Sequence, residues 1–126
     1  MDAEYVFRVR VRLDPADEGV RVDPATFETT LYRRAEPPGE DGWLFFRDNL
    51  WRGEVNDEGH LRDLAEDSLG VSVDSVSFSA LRTDEEYLDA LKAEIGDSLA
   101  PFNADTVPEV VSKYLGSSVE VRDPDS

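Results

Sequence analysis

YVFRVRVRL, residues 5–13, alternates without a break: Tyr5, Phe7, Val9, Val11 and Leu13 fall on one side, Arg8, Arg10 and Arg12 on the other. Side chains of a strand point to opposite faces in turn, so this period of two predicts a half-buried strand. One face goes to a core and the other carries three cations.

Working along the chain from this strand, DPADEG (14–19) supplies turn chemistry through Asp14-Pro15 and Gly19. A second Asp-Pro-Ala at 23–25 precedes TFETTLYRR (26–34), whose Thr, Phe, Leu and Tyr suit a pleated surface. AEPPGEDG (35–42) breaks the chain and WLFF (43–46) follows, so 26–34 and 42–47 are predicted as a hairpin, giving a three-stranded antiparallel start. Asn56 is placed to cap a helix with Leu61, Leu64, Ala65 and Leu69 on one face and Gly70 at its C-terminal cap. VSVDSVSFSAL (71–81) alternates again, but its phase slips between Val73 and Val76, which predicts a bulge near Asp74-Ser75.

TDEE (83–86) has the spacing of a capping box, with Tyr87, Leu88, Leu91, Ile95 and Leu99 as the buried stripe of the helix it opens, and Pro101 as its stop. TVPE (106–109) repeats the pattern before Val107, Val110, Val111, Tyr114 and Leu115, and Gly116 closes that helix. SVEV (118–121) predicts an edge strand, and 122–126 a frayed tail. Strands early and helices late indicate a single α+β domain over 1–126, with a mainly antiparallel sheet of about four strands and helices on one face; a ferredoxin-like arrangement is compatible with this order.

Thirteen basic residues face twenty-nine acidic ones, a net charge of −16, and eleven of the thirteen are arginine. At molar salt the Debye length falls to about 3 Å, so a dense acidic surface no longer repels itself yet still holds water. The balance points to a halophile's protein. No run of apolar residues approaches a membrane span, and the first residues lack the basic flank and apolar block of a secretory signal, which predicts a cytoplasmic location without membrane contact. The absence of cysteine excludes disulfides, thiolate metal sites and cysteine nucleophiles.

FFRDNLWRGEV (45–55), with Leu50-Trp51-Arg52 at its centre, taken together with TDEEYL (83–88) and SKYLGSS (112–118), resembles the haloarchaeal family called LWR-salt proteins after that tripeptide. The resemblance spans nearly the whole chain and implies salt adaptation. It implies no activity and no catalytic residue.

Trp43, Phe45, Phe46, Leu50 and Trp51 each gain about 1.5–3 kcal/mol on full burial, so the segment reads first as core, with Arg47 and Arg52 over aromatic faces or paired with Asp48 and Glu54. The functional reading makes Trp51 and Arg52 an outward anchor, because Trp and Arg are enriched in interface hot spots. Arg8, Arg10 and Arg12, with Arg34 and Arg47 nearby, form the second candidate: pairs with Glu28 and other carboxylates, or a protein- or anion-binding surface. RNA is the alternative partner, with Tyr32 or Phe46 stacking on bases. His60, the single histidine, has no evident orienting partner or nucleophile. Glu54, Asn56, Glu58 and Gly59 match part of a calcium loop, but Ala65 stands where its bidentate Glu belongs. No catalytic residue, metal ligand or cofactor is nominated, and a small enzyme without a recognisable motif ranks behind the two binding readings.

Overall fold

The first strand, β1 (Ala3–Arg12), lies inside the sheet and not at its edge. In the computed structural model, which describes residues 2–15 and 17–122, β2 (Thr26–Arg34) pairs antiparallel with one side of β1. β5 (Ser72–Thr83) pairs antiparallel with the other, and β6 (Val119–Val121) adds parallel to β5. The sheet order is β2-β1-β5-β6, a four-stranded, mainly antiparallel sheet within an α+β fold.

Residues 42–47 are not the third strand of this sheet. Phe45–Asn49 form a short helix, α1, followed by a separate two-residue hairpin of β3 (Leu50–Trp51) and β4 (Glu54–Val55). The aromatic run has too little alternation to define a strand. A helical turn instead places Phe46 and Leu50, four residues apart, inside the core at 1% and 0% exposure.

The inner face of the sheet carries Tyr5, Phe7, Val9 and Val11, opposite Leu81, Phe78, Val76 and Val73. Strict alternation along β5 would have sent Ser79, Ser77 and Ser75 inward. Two register shifts prevent this, one that skips Asp74 between Val11 and Arg10 and a second that skips Ser79 between Phe7 and Val6. The first is the expected bulge; the second was not visible in the alternation.

Three longer helices cover the inner face. α2 (Glu58–Leu69) is capped by Asp57, whose carboxylate accepts from the His60 amide (3.1 Å), and ends at Gly70 in the left-handed conformation. α3 (Glu85–Asp97) is capped by Asp84, one residue beyond the expected Thr83, because Thr83 is still paired in β5 and buried. α4 (Val107–Leu115) starts at Thr106 as expected, with Thr106 Oγ1 accepting from the Glu109 amide (3.3 Å) and Glu109 accepting from Asp105 (3.1 Å). Leu61, Ala65, Tyr87, Leu91, Ile95, Val110 and Leu115 bring these helices into one cluster with the sheet. Beyond β6, Arg122 donates its amide to Thr83 (2.7 Å); residues 123–126, the rest of the expected tail, lie outside the described residues.

Two core tyrosines make the fold sensitive to alkali. Burial, then the nearby Tyr87 hydroxyl, pushes the Tyr5 hydroxyl up despite the opposing Phe46 backbone and Arg33, while burial and Glu36 push Tyr87 up to about 12. An unfolded tyrosine ionises near about 10, so the stability these groups confer is complete below that pH and is lost as pH rises toward and beyond 12. In an alkaline titration, Tyr5 and Tyr87 should ionise only as near-ultraviolet circular dichroism is lost. Ionisation of Tyr5 and Tyr87 with the dichroism intact would refute the placement.

Candidate functional site

The seven candidate residues separate into distinct places. Arg8, Arg10, Arg12 and Arg34 share the outer face of the sheet, which no helix covers among the described residues. Trp51 and Arg52 sit at the hairpin against α4. Arg47 is on α1, 30% exposed at its side chain, and pairs with its neighbour Asp48 at 3.0 Å.

At the hairpin, the turn Arg52-Gly53 has positive φ at both positions, 52° and 81°, the two-residue connection that matches strand twist. The first two amides of such a turn normally face water. Here Arg52 N donates to Lys113 O (2.7 Å) and Gly53 N to Tyr114 O (3.0 Å), so the turn caps the last carbonyls of α4. Gly53 and Gly116 permit the approach: a Cβ on Gly53 would stand 3.0 Å from Leu115 O, and one on Gly116 3.0 Å from Arg52 O. Leu50 is fully buried, whereas Trp51 is 44% exposed, edge-on to Tyr114 at 6.0 Å. Lys113 Nζ lies 5.7 Å from the rings of both Trp51 and Tyr114 and donates to Phe102 O and Asn103 O. Trp43, Phe46 and Phe102 continue this aromatic contact inward, with Phe46 and Phe102 stacked at 5.8 Å. The Leu50-Trp51-Arg52 backbone is therefore a junction between hairpin and helix, with the Trp51 ring half outside it.

The outer sheet face is different. Across its rows stand Arg12 between Thr26 and Ser72, Arg10 between Glu28 and Ser75, Arg8 between Thr30 and Ser77, and Glu4 between Arg34 and Arg82. Arg10 pairs with Glu28 at 3.6 Å and Arg12 with Asp74 at 2.6 Å, both arginines being 53% exposed at the side chain. Among the described residues, Arg8 and Arg34 make no ion pair. Arg82, which the sequence did not nominate, bonds Glu120 (3.3 Å) and reaches over β1 to within 5.5 Å of the Tyr32 ring centroid. Val6, between them in the sheet, is 4% exposed although it points outward. Arg82 was hidden because its face depends on pairing with β1 and on two bulges.

At one end of this face, Arg34, Arg82 and Arg122 line an open cleft of about 410 Å³ together with Asp2, Glu4 and Asp84. Hydrogen bonds from the Tyr87 and Asp2 amides hold the Asp84 carboxyl below the usual carboxylate range. Three arginines and three carboxylates balance one another there. His60 is exposed on the first turn of α2. Among the described residues, no group of three or more His, Asp or Glu could hold a metal ion, and no helix is long and apolar enough to cross a membrane.

A helix-backed sheet with a bare, arginine-bearing face on a chain of net charge −16 defines a small, strongly acidic α+β domain. Within that class the identity is specific: residues 1–125 match the family described as LWR-salt protein, and the chain belongs to that family. Comparison with curated proteins and with solved structures gave no match.

Proposed function

We propose that the protein is a non-catalytic binding module of a halophile's cytoplasm and that its uncovered sheet face docks another protein. The observation that supports this is the placement of Arg8, Arg10, Arg12, Arg34 and Arg82 on one face, where Glu4, Glu28, Asp74 and Glu120 are the neighbouring carboxylates, on a chain of such acidity. Arg8, Arg10 and Arg12 recur every second residue, about 6.7 Å apart along the strand. At molar salt only contact-range charge survives screening, which favours planar, forked arginine over lysine for gripping a partner's carboxylates. RNA fits less well. Six to ten phosphate contacts lose about 10³–10⁵ in affinity between 50 and 200 mM salt.

The test is to purify the tagged chain from a haloarchaeal host in molar KCl and identify what accompanies it by mass spectrometry and ultraviolet absorbance. A stoichiometric protein should be retained by the wild type and by Trp51→Ala, and lost on the double change Arg8→Glu, Arg10→Glu with circular dichroism unchanged. Nucleic acid lost on the same change would replace this reading with the RNA one, and a chain that elutes alone would overturn both.

Salt dependence tests the halophile element separately. The melting temperature should rise from dilute buffer to molar KCl as the acidic surface is screened. An unchanged value would remove it.

A further inference from the structure

We infer that β2 is the pairing edge for a second copy of this chain, the two sheets joining across a two-fold axis at Leu31 into one continuous eight-stranded sheet. Among the described residues β2 has β1 on one side and no strand on the other. Its nine residues pair with β1 in unbroken register, and TFETTLYRR contains no proline, lysine or bulge; its charges are Glu28 and Arg34 on the outer face and Arg33 on the inner one, where its guanidinium lies over the Phe45 ring. Pro24 and Pro37 stand outside it. Phe27 and Tyr32, two of the large exposed apolar side chains, lie on this strand.

The direction of the free backbone groups follows from the ladder. Leu13 N donates to Ala25 O and Ala35 N to Ala3 O, in the same register as the strand pairs. In an antiparallel ladder, bonded and non-bonded pairs alternate, so residues 27, 29, 31 and 33 turn their amides and carbonyls toward β1. Thr26, Glu28, Thr30, Tyr32 and Arg34 turn theirs toward open water.

A two-fold axis perpendicular to the sheet keeps both outer faces on the same side, so outward residues must meet outward residues. Of the registers this allows, the one centred on Leu31 sets Glu28 against Arg34 of the second copy, and does so twice. It also sets Thr30 against Tyr32, and forms roughly eight new backbone hydrogen bonds. Centring on Thr30 would put Glu28 against Tyr32 and lose both charge pairs. Arg34 makes no ion pair within one chain among the described residues. The pairing also merges the two arginine-bearing faces into one surface, although it does not depend on what that surface binds.

The absence of cysteine provides a direct test. Leu31 would face its own copy as a non-bonded pair, with Cα atoms about 4.5 Å apart, within disulfide range. In molar KCl the wild type should sediment at twice its 14.1 kDa. Leu31→Cys should oxidise to a covalent dimer, whereas Thr29→Cys should not. Thr30→Pro should give a folded monomer, since it removes an outward amide that β1 does not use. A monomeric wild type, a dimer that survives Thr30→Pro, or Thr29→Cys cross-linking as readily as Leu31→Cys would overturn the inference. Should Thr30→Pro fail to fold, the two cysteine variants still decide it.

Discussion

Gly116→Val should destabilise the protein by about 3–5 kcal/mol. Gly116 has φ 60° and ψ −136°, outside the left-handed helical region and open essentially to glycine alone, which costs a side-chain-bearing residue about 1–3 kcal/mol. Its new Cβ would also stand 3.0 Å from Arg52 O and 3.1 Å from Arg52 C, backbone atoms that cannot rotate away. Relief means withdrawing the turn from α4, which gives up the Arg52–Lys113 and Gly53–Tyr114 bonds at about 0.5–1.5 kcal/mol each. Gly70→Ala is the control. Its φ of 72° carries the backbone penalty, but nothing lies within 4 Å, so it should cost only about 1–2 kcal/mol. Urea unfolding of the pair would measure the difference; equal losses would show that the turn does not press against α4.

Leu50→Ala should cost about 2–5 kcal/mol, because Leu50 is fully buried among residues that can only partly close on the gap. That corresponds to a fall of roughly 10 °C or more in melting temperature for a domain of this size. Trp51→Ala, next in the chain, should cost only about 1 kcal/mol, since nearly half of Trp51 is already in water and its main loss is the edge contact with Tyr114. The larger residue thus matters less to stability. The reverse order would place Trp51 in the core and remove the junction.

Much of this architecture was legible in local pattern. The alternation of YVFRVRVRL fixed which residues of β1 face inward, and the slip around Asp74 marked a bulge because a strand cannot otherwise keep Val73 and Val76 on one side. Gly70 and Thr106 marked helix ends through cap chemistry that depends only on neighbours. Failures came where distant pairing decides. Thr83 has the side chain to cap α3, but its place opposite Ala3 keeps it in β5 and passes the cap to Asp84. WLFF lacks a period long enough to separate strand from helix, and only the burial of Phe46 and Leu50 resolves it.

The candidate site was legible in the same uneven way. Arg8, Arg10 and Arg12 could be assigned to one face from alternation alone. That Arg34 and Arg82 join them depends on the register of three strands, and the capping role of Arg52-Gly53 depends on α4, sixty residues away. An arginine at φ 52° is also not the Asn or Gly that ordinarily signals such a turn. The tripeptide thus looked like either core or anchor, while its backbone serves as a helix cap.

Amide hydrogen exchange of Arg52 and Gly53, measured by NMR in molar KCl, would establish whether the Leu50-Trp51-Arg52 segment is committed to the body of the protein. If their amides are held by Lys113 and Tyr114 at 2.7 and 3.0 Å, both should exchange as slowly as the core amides of β1, through opening of the whole fold. Exchange at the rate of a free turn would contradict the junction and return Trp51 and Arg52 to the role of an outward anchor.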